Sequence, residues 1–219
     1  MDDGRRLTAQ GRERKQQLLD CAAELFAERG YAETRVLDIV RAAGVAKGLF
    51  YWYFENKEAL FRELVSTTRH SLRKTQGDAV DRNADPLEQL RQATEASVQF
   101  MIENAKLYAL VRAEGMDRQM ASILRTGGDV HVADTARMVQ AAIDAGLARD
   151  DDATLLAYGI IGTVAYYTHF HRTGRITIEP AELAAFVGRY VVRAVAVDST
   201  VALDSELAAA ASRGLTANA

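Results

Sequence analysis

Residues 47–54, Lys-Gly-Leu-Phe-Tyr-Trp-Tyr-Phe, set one cation beside five consecutive aromatic side chains. At helical spacing Phe50 and Phe54 join Val36, Ile39, Val40 and Val45 on an inward side. Lys47, Gly48, Leu49, Tyr51, Trp52 and Tyr53 remain for the other face. A merely solvated surface gains nothing from clustered aromatics beside a lysine. A helix that reaches base edges, thymine methyls and phosphates uses all of them. The plainer reading, in which Tyr51 belongs to the core and Lys57 is a solvated lysine, stays open at this point.

Other chemistries find less support. The sequence has no Gly-x-Ser-x-Gly elbow, phosphate loop or dinucleotide fingerprint, and no catalytic set is assigned. His169 and His171 stand about 200° apart around a helix, which spoils joint ligation of one metal. His131 and Asp134 are three apart on a helix face, a weak ligand pair without an evident third partner. Neither a metal nor a cofactor is expected. Cys21 reads as a small core hydrophobe rather than a redox sensor.

The elements that must position the aromatic face are all helical. From Gln10, Leu18, Ala22, Leu25 and Phe26 repeat with helical period, and Gly30 ends that segment. Thr34 is a candidate N-cap for a short helix stopped by Gly44. Ala43-Gly44-Val45 is too tight for antiparallel packing, so the next helix, about 46–53, crosses steeply in a helix-turn-helix. A fourth helix runs from about Asn56 to Gln76. The polar stretch from Gly77 to Asp85 marks a domain boundary, and Asp85-Pro86 starts the next helix. Further helices are expected at about 86–104, 106–115, 120–145, 151–173 and 180–197. The first seven residues read as a mobile arm, and the last twenty as a weakly docked helix or frayed tail.

The 219 residues are 48% hydrophobic and 26% charged, ordinary for a folded chain, with 2 prolines to interrupt helices. The single cysteine and the lack of an export signal point to a cytoplasmic setting. Net charge is −3, so any basic surface must be local. Arg5 to Lys57 carries 10 basic and 7 acidic residues, against 17 and 20 over residues 61–219, which places the cations around the aromatic face. Residues 153–171 lack charge, approaching the ~20 apolar residues of a spanning helix. Thr154, Thr163, Thr168, His169 and two glycines dilute the run, so a helix buried on nearly all sides is expected, and no membrane partner.

Residues 34–60, from Thr34-Arg35-Val36 through Ala43-Gly44-Val45 and Tyr51-Trp52-Tyr53-Phe54 to Lys57-Glu58-Ala59-Leu60, resemble the DNA-binding signature of TetR-family transcriptional regulators. Leu18 to Tyr31 resembles that family's first helix. The resemblance implies an all-α fold: a helix-turn-helix domain over 12–72, a ligand-binding and dimerisation domain over 77–197, and a tail over 198–219. It implies base-edge roles for Lys47, Leu49 and Trp52, with Tyr51 on base or backbone. Thr34, Arg35, Tyr53 and Lys57 would meet phosphates, and for Lys57 the helix start beside it attracts phosphate as well. Ala46 and Leu49 stand where relatives often carry polar side chains, and so does Leu37. Polar base readout is thinner here, and an operator cannot be carried over from relatives.

In the larger domain Leu155, Leu156, Gly159, Ile160, Thr163, Tyr166, Tyr167 and Phe170 form one broad stripe. Gly159 and Thr163, four apart, allow close approach of a partner helix. With Phe186 and Tyr190 on the amphipathic 180–197 helix, this resembles the family's dimerisation pair, a four-helix bundle across a twofold axis. Phe100, Met101, Tyr108, Arg112, Met116, Met120, Met138 and Tyr167 are candidate linings of an adaptable ligand site, with Arg112 the anchor for an acid. The expected function is a homodimeric repressor released from double-stranded operator DNA by a small-molecule effector. A DNA-binding dimer without effector and an all-α enzyme or metalloprotein are the alternatives.

Overall fold

The Thr8 hydroxyl accepts the Gly11 amide at 3.1 Å and starts α1 (Ala9–Arg29). The structure, a computed structural model, describes residues 8–105, 108 and 118–197. The first-arm, 106–115 helix and tail expectations lie largely or wholly outside those residues. Leu18, Leu19, Ala22, Leu25 and Phe26 form the buried stripe of α1, as the 3.6-residue period requires. Gly30 follows with φ 84° and returns its N–H to the Phe26 carbonyl.

The second helix, α2, spans Val36–Ala42. Its N-cap is Arg35 rather than Thr34: the Arg35 N–H donates to Asp38 Oδ2 at 3.0 Å. Thr34 is fully buried, and its hydroxyl serves the Gly30 carbonyl at 2.8 Å. Gly44, at φ 62°, supplies the left-handed step of the turn. The Val45 N–H then reaches back to the Val40 carbonyl, 3.0 Å away. This turn delivers α3 (Lys47–Tyr53). Asn56 caps α4 (Lys57–Ala79) by accepting the Ala59 amide. The head core closes on Phe26, Phe50 and Phe61, each almost fully buried. Truncating one of these to alanine costs ~3–5 kcal/mol.

The α4 helix does not stop at Gln76 but continues through Gly77 to Ala79. Leu72 is buried, and the Gln76 amide donates to Ser97 Oγ at 2.9 Å, so packing on α5 (Pro86–Glu103) outweighs the glycine's local cost of ~1 kcal/mol. Asp85 caps α5 through Leu87 and Glu88 amides. The remaining helices are α6 (Arg118–Asp144), α7 (Ala153–Arg172) and α8 (Pro180–Val195). Val98, Val139, Ile160, Leu183, Val187 and Val191 fill the space between them. The α8 backbone at Gly188 lies close under α5 side chains, where an added Cβ would lie 2.7 Å from Glu95 Cγ. Among the described residues there are eight α-helices and no strand, only an isolated bridge between Ala148 and Ala196.

The charge-free stretch is not buried on nearly all sides. Leu156, Ala157, Ile160 and Val164 face the core of the domain, while Leu155 is 70%, Tyr158 55% and Tyr166 56% exposed. Among the described residues no helix is long and apolar enough to cross a membrane.

Candidate nucleic-acid interface and sensor cavities

The buried side of α3 is Phe50, which stacks edge-on with Tyr51 at 5.3 Å and tilts against Phe54 at 5.7 Å. Fixing that side forces the other outward. Tyr51 and Trp52 are each 51% exposed, and Lys47 and Gly48 are exposed beside them. The Lys47 ammonium lies 5.8 Å over the Tyr51 ring, so cation and aromatic form one unit. Leu49 is half-buried. Exposed Arg35 and Leu37, at the start of α2, extend the face. The core reading of Tyr51 is therefore excluded by its exposure.

Three residues expected at phosphates are engaged elsewhere. Thr34 is fully buried, so its hydroxyl cannot reach DNA. Lys57 directs its ammonium at the carbonyls of Tyr31 (2.6 Å), Ala32 (3.3 Å) and Thr34 (2.8 Å), and sits 4.2 Å over the Tyr31 ring. Those carbonyls close the α1–α2 turn, and an ammonium has only three N–H donors. The half-buried Tyr53 donates its hydroxyl to the Gly11 carbonyl at 2.8 Å. Sequence spacing could not show these bonds, because each acceptor is backbone. Cys21 is half-buried against the head core, and burial together with Glu24 and Asp20 raises its thiol pKa, keeping it protonated.

Two adjoining spaces lie among the described residues of the larger domain. An internal slot of about 20 Å³, near the size of one water, lies among Thr94, Ser97, His131, Thr135, Ile160 and Val164. Burial lowers the His131 pKa, with Arg69 and Arg73 adding to it against Asp134, so the imidazole is neutral at pH 7. Outside it, a groove of about 530 Å³ runs between α4, α5 and α6, past Arg73, Gln89, Asp134 and Arg137. Gln76 and Met138 line both. Of the expected ligand residues that are described, Met138 alone lines either space. Phe100 and Met101 are buried in packing, and Tyr108 is enclosed enough that burial pushes its hydroxyl up to about 12. Tyr167 leans on Phe186 (5.6 Å) and Tyr190 (6.3 Å) of α8 and does not line the slot. Arg112 and Met116, and the side chain of Met120, lie outside the described residues.

Comparison with known proteins follows this division. The family profile described as "Bacterial regulatory proteins, tetR family" matches residues 18–64. A second, "Tetracyclin repressor-like, C-terminal domain", matches residues 83–195, more than half of the chain. The chain belongs to the TetR family. An uncharacterised helix-turn-helix transcriptional regulator of Bacillus subtilis, YdgC, is 30% identical over 54% of this TetR-family chain and 66% of its own. The repressor KstR2 of Mycobacterium tuberculosis is 40% identical over 39% of this chain and 43% of its own. The chain thus spans two thirds or less of these relatives. The Bacillus halodurans fatty acid degradation regulator FadR superposes with a TM-score of 0.73 at 20% identity, covering 82% of this chain and 94% of that one. Such a likeness fixes the TetR fold and nothing finer. The family is one of DNA-binding regulators rather than enzymes.

Proposed function

We propose that this chain is a transcriptional repressor that binds a twofold-symmetric operator as a homodimer in the cytoplasm and is released by a small-molecule effector. The observation that carries the reading is the α3 face: Lys47, Tyr51 and Trp52 stand exposed on a helix whose opposite side is locked into an aromatic core. A rigid helix presenting a cation and flat apolar groups fits major-groove readout, with thymine methyls meeting the apolar part. Lys47, Gly48, Leu49, Tyr51 and Trp52 are assigned to the DNA, with Arg35 on phosphate. Pairing of copies is supported by Leu155, Tyr158, Gly159 and Tyr166 along one exposed line of α7, continued by exposed Phe186 and Tyr190 on α8. A patch of that size on a soluble domain calls for a partner. Thr163 is half-buried beside the line.

Effector release needs a route from the larger domain to α3. Two are present. The α4 helix is continuous from the head to the groove, and Ile123 and Leu124 of α6 pack on the head core. The test is selection of bound sequences from a random duplex pool. Recovery of one inverted-repeat sequence, with a change in Trp52 emission on binding, supports the reading. Recovery of no preferred sequence refutes it.

A further inference from the structure

The groove between α4, α5 and α6 has an uneven charge balance. Arg73 of α4 and Arg137 of α6 both point at one carboxylate, Asp134. Arg73 uses Nε and one terminal nitrogen on Oδ2, while Arg137 uses a terminal nitrogen on Oδ1. Each guanidinium has five N–H donors. Beyond Asp134, no acceptor for either side chain is found among the described residues. The groove wall therefore holds two cations against one anion in a chain whose net charge is −3. Arg73 and Arg137 line the groove with half or more of each side chain open to solvent, and forked donors beside a recess are the chemistry of carboxylate and phosphate recognition. The inner wall is neutral: Gln76 and Met138 separate the arginines from the hydroxyls of Thr94, Ser97 and Thr135 and the His131 ring.

We infer that this groove binds a small organic anion whose carboxylate or phosphate sits between Arg73 and Arg137 and whose uncharged body lies along Gln76 and Met138. Asp134 occupies the same guanidiniums when the ligand is absent and competes with it. Arg73 lies roughly 24 Å along α4 from Lys57, at 1.5 Å per residue. Exchanging Asp134 for a ligand anion therefore loosens the tie between α6 and the helix that carries the head. That consequence rests on the operator-release reading; the binding itself does not.

The experiment is calorimetric titration of the full chain with 4-hydroxybenzoate, its uncharged methyl ester, and inorganic phosphate at low salt. The acid binds, the ester binds at least tenfold more weakly, and phosphate falls between them if the body contributes. Arg73→Gln and Arg137→Gln each weaken the acid about fivefold, and Asp134→Asn tightens it severalfold by removing the competitor. Arg73 and Arg137 are exposed and Asp134 is half-buried, so circular dichroism checks that each variant folds. Equal binding of acid and ester, unaltered affinity in both arginine variants, or no anion binding by either the parent or Asp134→Asn overturns the assignment. If phosphate matches the acid, the role of the neutral wall is wrong. A bound anion that leaves operator affinity constant refutes only the coupling, whereas absence of any preferred operator refutes the functional reading and leaves the groove standing.

Discussion

Lys57→Met removes an ammonium and keeps most of the apolar stem, so it removes the three carbonyl bonds to Tyr31, Ala32 and Thr34 together with the cation–π contact on Tyr31. Hydrogen bonds involving a charged partner contribute ~1.5–3 kcal/mol each when sheltered, but here the Ala32 bond is exposed and water replaces it. The Tyr31 and Thr34 bonds are only part-buried, so each counts for about half a sheltered bond; with the cation–π contact on Tyr31, itself ~0.5–1 kcal/mol, the loss comes to about 2 kcal/mol. For a domain of this size that lowers Tm by about 4–8 °C. The matching assay is salt dependence of duplex binding. A phosphate contact contributes about 0.9 to the slope of log K against log salt. Lys57→Met should leave that slope unaltered while Tm falls. An unchanged Tm with a slope reduced by about one would refute the reasoning and return Lys57 to the phosphates.

Lys47→Ala is expected to do the opposite, weakening duplex binding with stability within ~0.5 kcal/mol of the parent, since Lys47 is exposed on α3. Gly159→Arg should yield folded monomers by light scattering with unchanged helicity, because a Cβ at Gly159 meets nothing within 4 Å in the protomer. Operator affinity should drop as dimerisation is lost, because two linked half-sites become independent. His131 is held neutral by burial, with its pKa below the usual 6.5. The unfolded chain then binds more protons, so this stabilisation is present above about pH 6.5 and is lost as pH falls through the lowered folded value. Comparing urea unfolding of the parent and His131→Gln at pH 7.5 and 5.5 should show a smaller acid loss in the variant.

The head was legible because its information is local. Periodic Leu18, Ala22 and Phe26, the Gly44 turn and the inward pair Phe50 and Phe54 require only short-range spacing, and all are found as expected. Caps at Asn56 and Asp85 are equally local. Thr34 failed as a cap because its hydroxyl found the deeper Gly30 carbonyl, and Arg35 with Asp38 satisfied the helix start instead. The carbonyl bonds of the Lys57 ammonium were not foreseen because backbone acceptors leave no trace in residue types. In the larger domain the groove depends on Arg73 meeting Asp134 across 61 positions. No periodicity encodes such a pairing. Tyr158, missed on α7, shows the same limit: composition marked the stretch as apolar, but only packing decides which apolar side stays open.

The α7–α8 hairpin is tied at both ends. At one, the Arg175 N–H returns to the Phe170 carbonyl, and His171 Nε2 meets the Ile178 carbonyl at 3.1 Å. At the other, Arg149 donates to Val195 and Val197 to Leu147 around the Ala148–Ala196 bridge. Residues 147–197 thus form a ring closed by hydrogen bonds rather than by a covalent link. A ring resists shear between its two long sides, since sliding one helix past the other must break the closure at 147–149 and 195–197 and strain the bonded loop at 170–178. On the proposed release mechanism, the surface carried on this ring would keep its shape while α4 and α6 shift beside it, and two rings set face to face would provide a fixed pivot for the two heads.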